Sequence, residues 1–292
     1  MGKENQEQAS LKVLFVGDVM LGRLMNEVLK EKAPASPWGE ALSLLHTADV
    51  RICSLESVLS DGGTPWSAAA KQFPFRSDAK NVAVLKAAQI DAVSLANNQA
   101  LDFDYEGLSY MMNALEEAGI HYAGAGMDIR EASEPAIWKV KGQTIGLLAF
   151  TDNEPGWEAT EEQPGVWYVP IKVKEKRAQR LFETVRRTKS EVDLLVVSAH
   201  WGPDWGSFPS VEHGPFAHRL IDEGADVIFG HSGQAVRGIE LYKGRPILDC
   251  TDDCIDDYAV DPVEQNNGSW MVMMETAGSG LAHLLLSPTI IT

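Results

Sequence analysis

Polar side chains that suit a metal ion stand at the ends of the strongest predicted strands. Asp18 closes the run KVLFVGDV, and Glu56 closes the run DVRICSLE. Asn98 follows DAVSLA, while His200 and His231 follow LLVVS and DVIF. Because sites in open α/β sheets form at the carboxyl ends of the strands, we expect these side chains to converge on one edge. Carboxylates, an amide oxygen and imidazoles are ligands that zinc, manganese or iron accepts, so the pattern indicates a metal-ion site.

Each of these residues, taken alone, also has a purely structural interpretation. Asp18 and Asn98 are residue types that cap helices and form turns, and His200 is compatible with a hydrogen-bonded core histidine. That interpretation weakens when the residues are considered together, because all of them fall at strand ends. A carboxylate in such a set can bridge two ions, so the sequence allows one or two divalent ions, Mn, Zn or Fe.

Apolar, β-rich runs alternate with amphipathic helical patterns almost to residue 230, and mostly β patterns follow. The predicted strands are Lys12–Val19, Asp49–Glu56, Asp91–Ala96, His121–Ala125, Ala136–Val140, Thr144–Phe150, Leu194–Ser198, Asp226–Phe229, Gly238–Tyr242, Pro246–Asp249, Trp270–Glu275 and Leu281–Leu286. The predicted helices are Leu24–Lys32, Trp38–Thr47, Lys80–Ala88, Tyr105–Ala118 and Phe216–Asp222. Parallel units followed by antiparallel strands predict two mixed sheets packed face to face, with helices outside.

The spread of the candidate ligands predicts the domain organisation. They run from Asp18 to His231, so no boundary can be drawn without dividing the site. We therefore expect a single domain over residues 11–292, preceded by a disordered tail over residues 1–10.

The charge of the chain disfavours anionic partners. Its formal net charge is −17, from 42 acidic and 25 basic residues, and this would repel a nucleic-acid backbone or an anionic membrane. The basic run from Lys172 to Arg187 has helical spacing, which favours the solvated face of a surface helix over a nucleic-acid groove. The first ten residues, MGKENQEQAS, contain no apolar signal segment, and no later run is apolar and long enough for a membrane span. These features predict a cytoplasmic protein with no nucleic-acid or membrane partner.

Several motifs together resemble one family. They are GDVMLGR from Gly17, SLE from Ser54, ANNQALDFDYEGL from Ala96, SAHWG from Ser198 and LIDEGADVIFGHSG from Leu220. In these motifs the chain resembles the CapA-type poly-γ-glutamate capsule synthesis proteins, which are similar in turn to calcineurin-like metallophosphoesterases. The resemblance runs from residue 12 to about residue 260 and implies a four-layer αββα sandwich with a two-metal centre.

The same resemblance implies roles for individual residues. It makes Glu56 the bridging carboxylate, gives Asn98, His200 and His231 to one metal, and gives Asp18 to the other metal. The catalytic residues it implies are Asp18, Asn98, Gln99 and His200.

Two positions depart from the family pattern. Relatives have histidine where this chain has Gln99 and again where it has Gln234. In metallophosphoesterases the first histidine is a general acid and the second is a metal ligand. Glutamine donates a hydrogen bond but transfers no proton near neutral pH, and its amide oxygen is a weaker ligand than imidazole. Gln234 is therefore expected to be a weakened metal ligand.

Substrate contacts are expected from Arg23, Trp201 and Asp253. Trp201 lies in a loop rich in Gly and Pro, where an aromatic residue either walls a pocket or packs the loop against the sheet. Asp253 lies in the acidic run DCTDDCIDD, from Asp249 to Asp257, which either adds a ligand, favours a cationic group of the substrate, or is simply solvated.

The favoured function is a metal-dependent hydrolase acting on a phosphate ester or on a γ-glutamyl or other amide link of a small molecule or peptide. One alternative is a non-catalytic or single-metal protein that binds a ligand, which the two glutamines favour. The other is a role in poly-γ-glutamate capsule biosynthesis, which the family resemblance favours.

Overall fold

The fold is described from a computed structural model, which covers residues 10–68, 74–203, 206, 208–233, 235–261, 266–278 and 280–291. The predicted tail lies outside these residues except for Ser10, and so does Gln234. The strands are β1 (Lys12–Val19), β2 (Val50–Leu55), β3 (Val58–Leu59), β4 (Arg76–Ser77), β5 (Ala92–Ser94), β6 (His121–Ala123), β7 (Ala125–Gly126), β8 (Ala136–Val140), β9 (Gln143–Thr151), β10 (Gly165–Val166), β11 (Leu194–His200), β12 (Val227–His231), β13 (Arg237–Tyr242), β14 (Arg245–Cys250), β15 (Asp253–Ile255), β16 (Gly268–Ala277) and β17 (Gly280–Ile290).

Helices connect the parallel strands. They are α1 (Arg23–Val28), α2 (Ala41–Leu45), α3 (Val82–Ala87), α4 (Asp104–Ala118), α5 (Ile129–Ala132), α6 (Lys176–Lys189) and α7 (His213–Asp222). Short 3-10 turns occur at Ser36–Trp38, Ala79–Asn81 and Pro155–Trp157. The described helices include none long and apolar enough to cross a lipid bilayer.

The strands form two large mixed sheets. The first has the order β17-β16-β1-β2-β5-β6, and β15 pairs in parallel with the end of β1. The second has the order β13-β14-β12-β11-β9-β8. In each sheet the central strands are parallel, whereas β16, β17, β8 and β13 run antiparallel to their neighbours. The carboxyl ends of β1, β2, β9, β11 and β12 are therefore available to build a common site.

Alternating side chains on the central strands reveal the layers. In β1, Val13 and Phe15 belong to a core shared by both sheets, whereas Leu14 and Val16 belong to a separate core with the helices of the first sheet. Phe15 meets Phe229 of β12 across the sheets, with ring centroids 5.2 Å apart. Because every residue of β1 after Lys12 is buried, a continuous apolar run is the correct signal for this strand. The predicted sandwich of two mixed sheets flanked by helices is confirmed.

Two helices are shorter than the sequence pattern predicts. The pattern predicts a helix over Leu24–Lys32, but α1 ends at Val28. The predicted helix Trp38–Thr47 is divided into the 3-10 turn and α2. Gly39 separates the two with a φ of 48°, a left-handed conformation that interrupts a right-handed helix and that glycine adopts readily.

Candidate metal centre

Glycines bring the acidic run next to two of the candidate ligands. Gly17 precedes Asp18 in β1, and Gly230 precedes His231 in β12. The backbone from Asp249 to Asp252 passes so close to both glycines that neither position has room for a side chain. Each glycine therefore allows the backbone of the acidic run to pack directly against the strand next to a candidate ligand, Asp18 or His231.

Asp18, His200 and His231 converge at this edge of the two sheets. The Asp18 Oδ1 atom lies 3.2 Å from His231 Nδ1 and 3.7 Å from His200 Nδ1. The two Nδ1 atoms are 3.0 Å apart, and all three side chains are completely buried. The sequence prediction that residues from distant strands would meet here agrees with this geometry.

Neighbouring groups orient two of these side chains. The Ser198 hydroxyl is hydrogen-bonded to His231 Nε2 at 2.7 Å, which leaves Nδ1 facing Asp18. The backbone N–H of Ser232 donates to Asp18 Oδ2 at 2.9 Å, which leaves Oδ1 facing the histidines. Such outer contacts fix the ring orientation and the carboxylate rotamer of metal ligands.

A second group of carboxylates overlaps the first. One carboxylate oxygen each from Asp18, Glu56 and Asp253 lies within 4.8 Å of the others, and all three residues are buried. Asp18 therefore belongs to both groups and lies between the histidines of the second sheet and Glu56 of the first. The bridging role that the family resemblance implies for Glu56 stays a prediction.

The charges at the site are strongly perturbed. Burial raises the pKa of Asp18, but His231 and His200 beside it more than offset this and hold the pKa well below its usual range. Burial lowers the pKa of His231. Ionised carboxylate and neutral imidazole are the protonation states in which these groups bind metal ions.

The acidic run shows the opposite perturbation. Burial, with the nearby Glu56 and Asp18 carboxylates, raises the pKa of Asp253 well above its usual range. Burial also raises the pKa of Asp252 to about 8 and that of Asp256 to about 6. Carboxyl groups so crowded and so poorly solvated would be stabilised in their ionised form by a cation.

The residues present fit a divalent metal ion. Ligands around a tetrahedral ion with bonds of about 2.0–2.1 Å lie about 3.3 Å apart, and the separations within the Asp18 and histidine group bracket that value. Asp18 Oδ1 is buried and forms no hydrogen bond among the described residues, and it faces the Nδ1 atoms of His200 and His231. Buried polar atoms without hydrogen bonds are costly, and a coordinated ion would compensate that cost.

Asn98 and Gln99 follow β5 at the same edge of the first sheet. The side-chain amide of Asn97 donates to the carbonyl of Leu55 at 2.8 Å, and the backbone N–H of Gln99 donates to Asn97 Oδ1 at 3.0 Å. These bonds tie the loop after β5 to the end of β2. Gln99 is buried, whereas Asn98 is partly exposed. Their assignment as catalytic residues stays a prediction, as does that of Gln234, which lies outside the described residues.

Trp201 requires a correction. Its side chain is completely buried, stacks on His213 with ring centroids 4.4 Å apart, and donates from Nε1 to the Asp249 carbonyl at 2.9 Å. The Gly-rich and Pro-rich loop suggests a pocket wall, but the indole has a backbone acceptor in the core. The packing alternative therefore describes Trp201, and the substrate-contact prediction for it is wrong.

Arg23 lies beside the acidic run. Its guanidinium carbon is 5.5 Å from the ring centre of Phe75 and 5.6 Å from that of Tyr258. Its Nε atom is 3.5 Å from Asp257 Oδ1. Arg23 is thus held at the edge of the site by aromatic and charged contacts, while its substrate contact stays a prediction.

Sequence reasoning missed Asp152 at this edge. It follows β9 directly, accepts a hydrogen bond from the Gly202 N–H at 3.0 Å, and has a pKa that burial raises. His213 and His200 are close enough to act on the Asp152 carboxyl electrostatically. The rule that identified the other ligands, a polar residue after a buried strand, applies equally to Thr151-Asp152.

Comparison with known proteins identifies the family. The model of the bacterial capsule synthesis protein PGA_cap family matches residues 12–258. A probable polyglutamine synthesis accessory protein of Mycobacterium tuberculosis is 33% identical over 284 residues, covering 84% of this chain and 74% of that protein. The PGA biosynthesis protein CapA of Bacillus subtilis is 27% identical over 82% of this chain, and the chain spans 61% of its length. The capsule biosynthesis protein CapA of Bacillus anthracis is 28% identical over 82% of this chain and 58% of its own length.

A solved structure supports the fold. A hypothetical protein from Thermus thermophilus superposes with a TM-score of 0.58 at 13% identity, covering 97% of this chain and all of that protein. At this identity the likeness concerns the fold alone. The family match reaches further, because residues 12–258 include Asp18, Glu56, His200 and His231. The chain belongs to the bacterial capsule synthesis protein PGA_cap family.

Proposed function

We propose that this protein is a metal-dependent hydrolase. The observation that carries the proposal is the buried group of Asp18, His200 and His231, in which Asp18 Oδ1 and the two histidine Nδ1 atoms lie 3.0 to 3.7 Å apart. When bound there, a divalent cation supplies Lewis-acid activation of water and of the substrate. Asp18 Oδ1 forms no hydrogen bond among the described residues, and a bound cation would compensate for the burial of this atom.

The chain's own residues have distinct tasks in this proposal. Asp18, His200 and His231 hold the cation, while Ser198 and the Ser232 N–H keep His231 and Asp18 in their binding orientation. Gln99 would donate a hydrogen bond to the leaving group without transferring a proton. Proton transfer to the leaving group would then have to come from water, and the reaction would be slow compared with that of relatives that have histidine.

The substrate we propose is a small molecule or peptide with a phosphate ester or a γ-glutamyl amide link. The names of the relatives favour the second link, because the Mycobacterium protein is named as an accessory to polyglutamine synthesis and the Bacillus proteins are named for PGA and capsule biosynthesis. A role in polyglutamate synthesis is therefore the second candidate function. The two are compatible, since cutting or transferring a γ-glutamyl link is a reaction on such a polymer.

A metal analysis combined with a substrate screen tests the proposal. The protein is purified without chelator, its metal content is measured, and phosphoesters and γ-glutamyl amides are assayed with added Mn²⁺, Zn²⁺ or Fe²⁺. We expect metal-dependent hydrolysis that is lost in His200→Ala and kept in His218→Ala, a matched histidine change on α7 that lies outside the site. Bound metal without hydrolysis of any substrate favours the non-catalytic alternative. Absence of bound metal contradicts the proposed metal site and also favours that alternative.

A further inference from the structure

Asp253 is held beside Asp18 by backbone pairing. In the parallel ladder between β1 and β15, Asp18 is the register partner of Asp253. The Asp18 N–H donates to the Asp252 carbonyl at 3.3 Å, and the Met20 N–H donates to the Ile255 carbonyl at 2.8 Å. Because a strand pair and not a free loop sets its position, the Asp253 carboxylate is directed into the site with little freedom.

Two of the carboxylates beside the site, Asp18 and Asp253, show no ion pair with lysine or arginine within the part of the chain that the structure describes. Both are buried, with exposed fractions of 0% and 4%. Ionised carboxylates in such surroundings need a counter-charge, since water does not reach them to screen it.

A second observation points to a ligand at the same place. The Asp18 side chain belongs to the group and is completely buried, and its Oδ1 atom forms no hydrogen bond among the described residues. Asp252 Oδ2 and Asp256 Oδ2 are likewise buried without hydrogen bonds among the described residues. The three carboxylate oxygens lie within 4.8 Å of one another, and two oxygens on opposite sides of one cation lie about 4.2–5.2 Å apart for bonds of about 2.1–2.6 Å.

We propose that Asp253 is a metal ligand and that Asp18, Glu56 and Asp253 form an all-oxygen site for a second, hard divalent cation, Mg²⁺ or Mn²⁺. The inference rests on the proposed metal centre, whose other site contains His200 and His231. Carboxylate oxygens suit Mg²⁺ and Mn²⁺, whereas imidazole favours softer ions such as Zn²⁺. The two sites then differ in the metal ion that they prefer, and Asp18 is a ligand in both. Asp253 supplies the charge that Gln234, a neutral residue in the sequence, does not.

Metal titration of matched variants tests this site. Asp253→Asn removes one charge with little change of shape. Asp257→Asn is the control, because Asp257 lies on the same run but pairs with Arg23 and belongs to neither ligand group. We expect about two ions per chain in the parent protein and in the control. In Asp253→Asn we expect one ion, and Mn²⁺ affinity at the lost site weakened by at least about 10–100-fold, the loss typical of even an outer contact.

Thermal unfolding gives a readout that does not depend on activity. The melting temperatures of the parent and of Asp253→Asn in chelator serve as the references. With Mn²⁺ the melting temperature of the parent should rise more than that of the variant, since the parent gains a bound ion that the variant cannot hold. His200→Ala should lose preference for Zn²⁺ and keep the Mn²⁺ response.

The outcomes separate this inference from the proposed function. Unchanged Mn²⁺ affinity and an unchanged Mn²⁺-induced shift in melting temperature in Asp253→Asn would overturn the ligand role, even if hydrolysis is observed. Metal binding as expected without hydrolysis would overturn the proposed function and support the ligand role. If Asp253→Asn does not fold, Asp253→Glu replaces it. A changed Mn²⁺ affinity from its displaced carboxylate then supports the inference, and an unchanged one contradicts it.

Discussion

Gly17 and Asp252 are in direct backbone contact, so close that a Cβ atom on residue 17 would lie 1.7 Å from the Asp252 carbonyl oxygen. Gly230 stands in the same relation to Asp249, at 2.0 Å. These two contacts fix the acidic run between β1 and β12, and so fix Asp253 next to Asp18. Because Gly17 and Gly230 have no side chain, the backbone of the acidic run can lie close to Asp18 and His231.

Replacing Gly17 with alanine should disrupt the backbone contact between residue 17 and Asp252. We expect Gly17→Ala to lower the free energy of unfolding by at least about 1–3 kcal/mol, the usual cost of overpacking, because backbone and not a flexible side chain must move. Chemical denaturation measures the change. The control is Gly238→Ala in β13, where nothing lies within 4 Å of an added Cβ. Equal free energies of unfolding for the two variants would contradict the close contact between Gly17 and the Asp252 backbone.

Removing the hydroxyl of Ser198 should weaken metal binding without unfolding the protein. Ser198 is hydrogen-bonded to His231 Nε2 and so fixes which ring nitrogen faces Asp18. We expect Ser198→Ala to weaken metal affinity by about 10–100-fold. Ser94→Ala is the matched control, since Ser94 is also a buried strand serine but its hydroxyl forms no hydrogen bond in the described chain. Isothermal titration with Zn²⁺ compares them, and equal affinities would refute the orienting role.

Trp201 should behave as a core residue. Trp201→Phe removes the indole N–H that donates to Asp249 and should cost about 1–3 kcal/mol of unfolding free energy, because it leaves a buried acceptor without its partner. The number of metal ions bound per chain should not change. A variant that keeps its stability but loses affinity for substrate would restore the pocket-wall interpretation that the structure overturns.

Gln99→His should raise the rate of a metal-dependent reaction. If residue 99 stands at the general-acid position that the family resemblance implies, a histidine there supplies a transferable proton, an effect of about 10²–10⁴-fold in enzymes that use one. Initial rates on a phosphomonoester with Mn²⁺ measure the gain, with metal content determined in parallel. Unchanged rates in a folded variant with full metal content would contradict the assignment of residue 99 to the general-acid position.

Sequence patterns locate much of the site because strand ends leave a local signature. Asp18, His200 and His231 each follow a buried run, so their convergence is predictable from the sequence alone. Asp253 cannot be placed in this way, since its position depends on the pairing of β15 with β1, two segments far apart in sequence. The acidic run resembles a solvated or substrate-binding segment for the same reason, although Asp252 and Asp253 are buried.

Helix boundaries and aromatic roles are less predictable. Gly39 interrupts a helical pattern through one left-handed residue, which periodicity does not reveal. Trp201 occurs in a loop sequence typical of pocket walls, and only the partner of its indole N–H identifies it as a core residue. In both cases a single local contact or dihedral angle outweighs the average tendency of the segment.

The central claim is that Asp18, His200 and His231 hold a divalent ion, and anomalous diffraction tests it most directly. Crystals grown with Zn²⁺ would be measured on both sides of the zinc absorption edge, which locates the ion independently of activity. We expect an anomalous peak in contact with Asp18 Oδ1 and the facing Nδ1 atoms of the two histidines. Complete anomalous data with no peak there, or with zinc only at other residues, would contradict the claim.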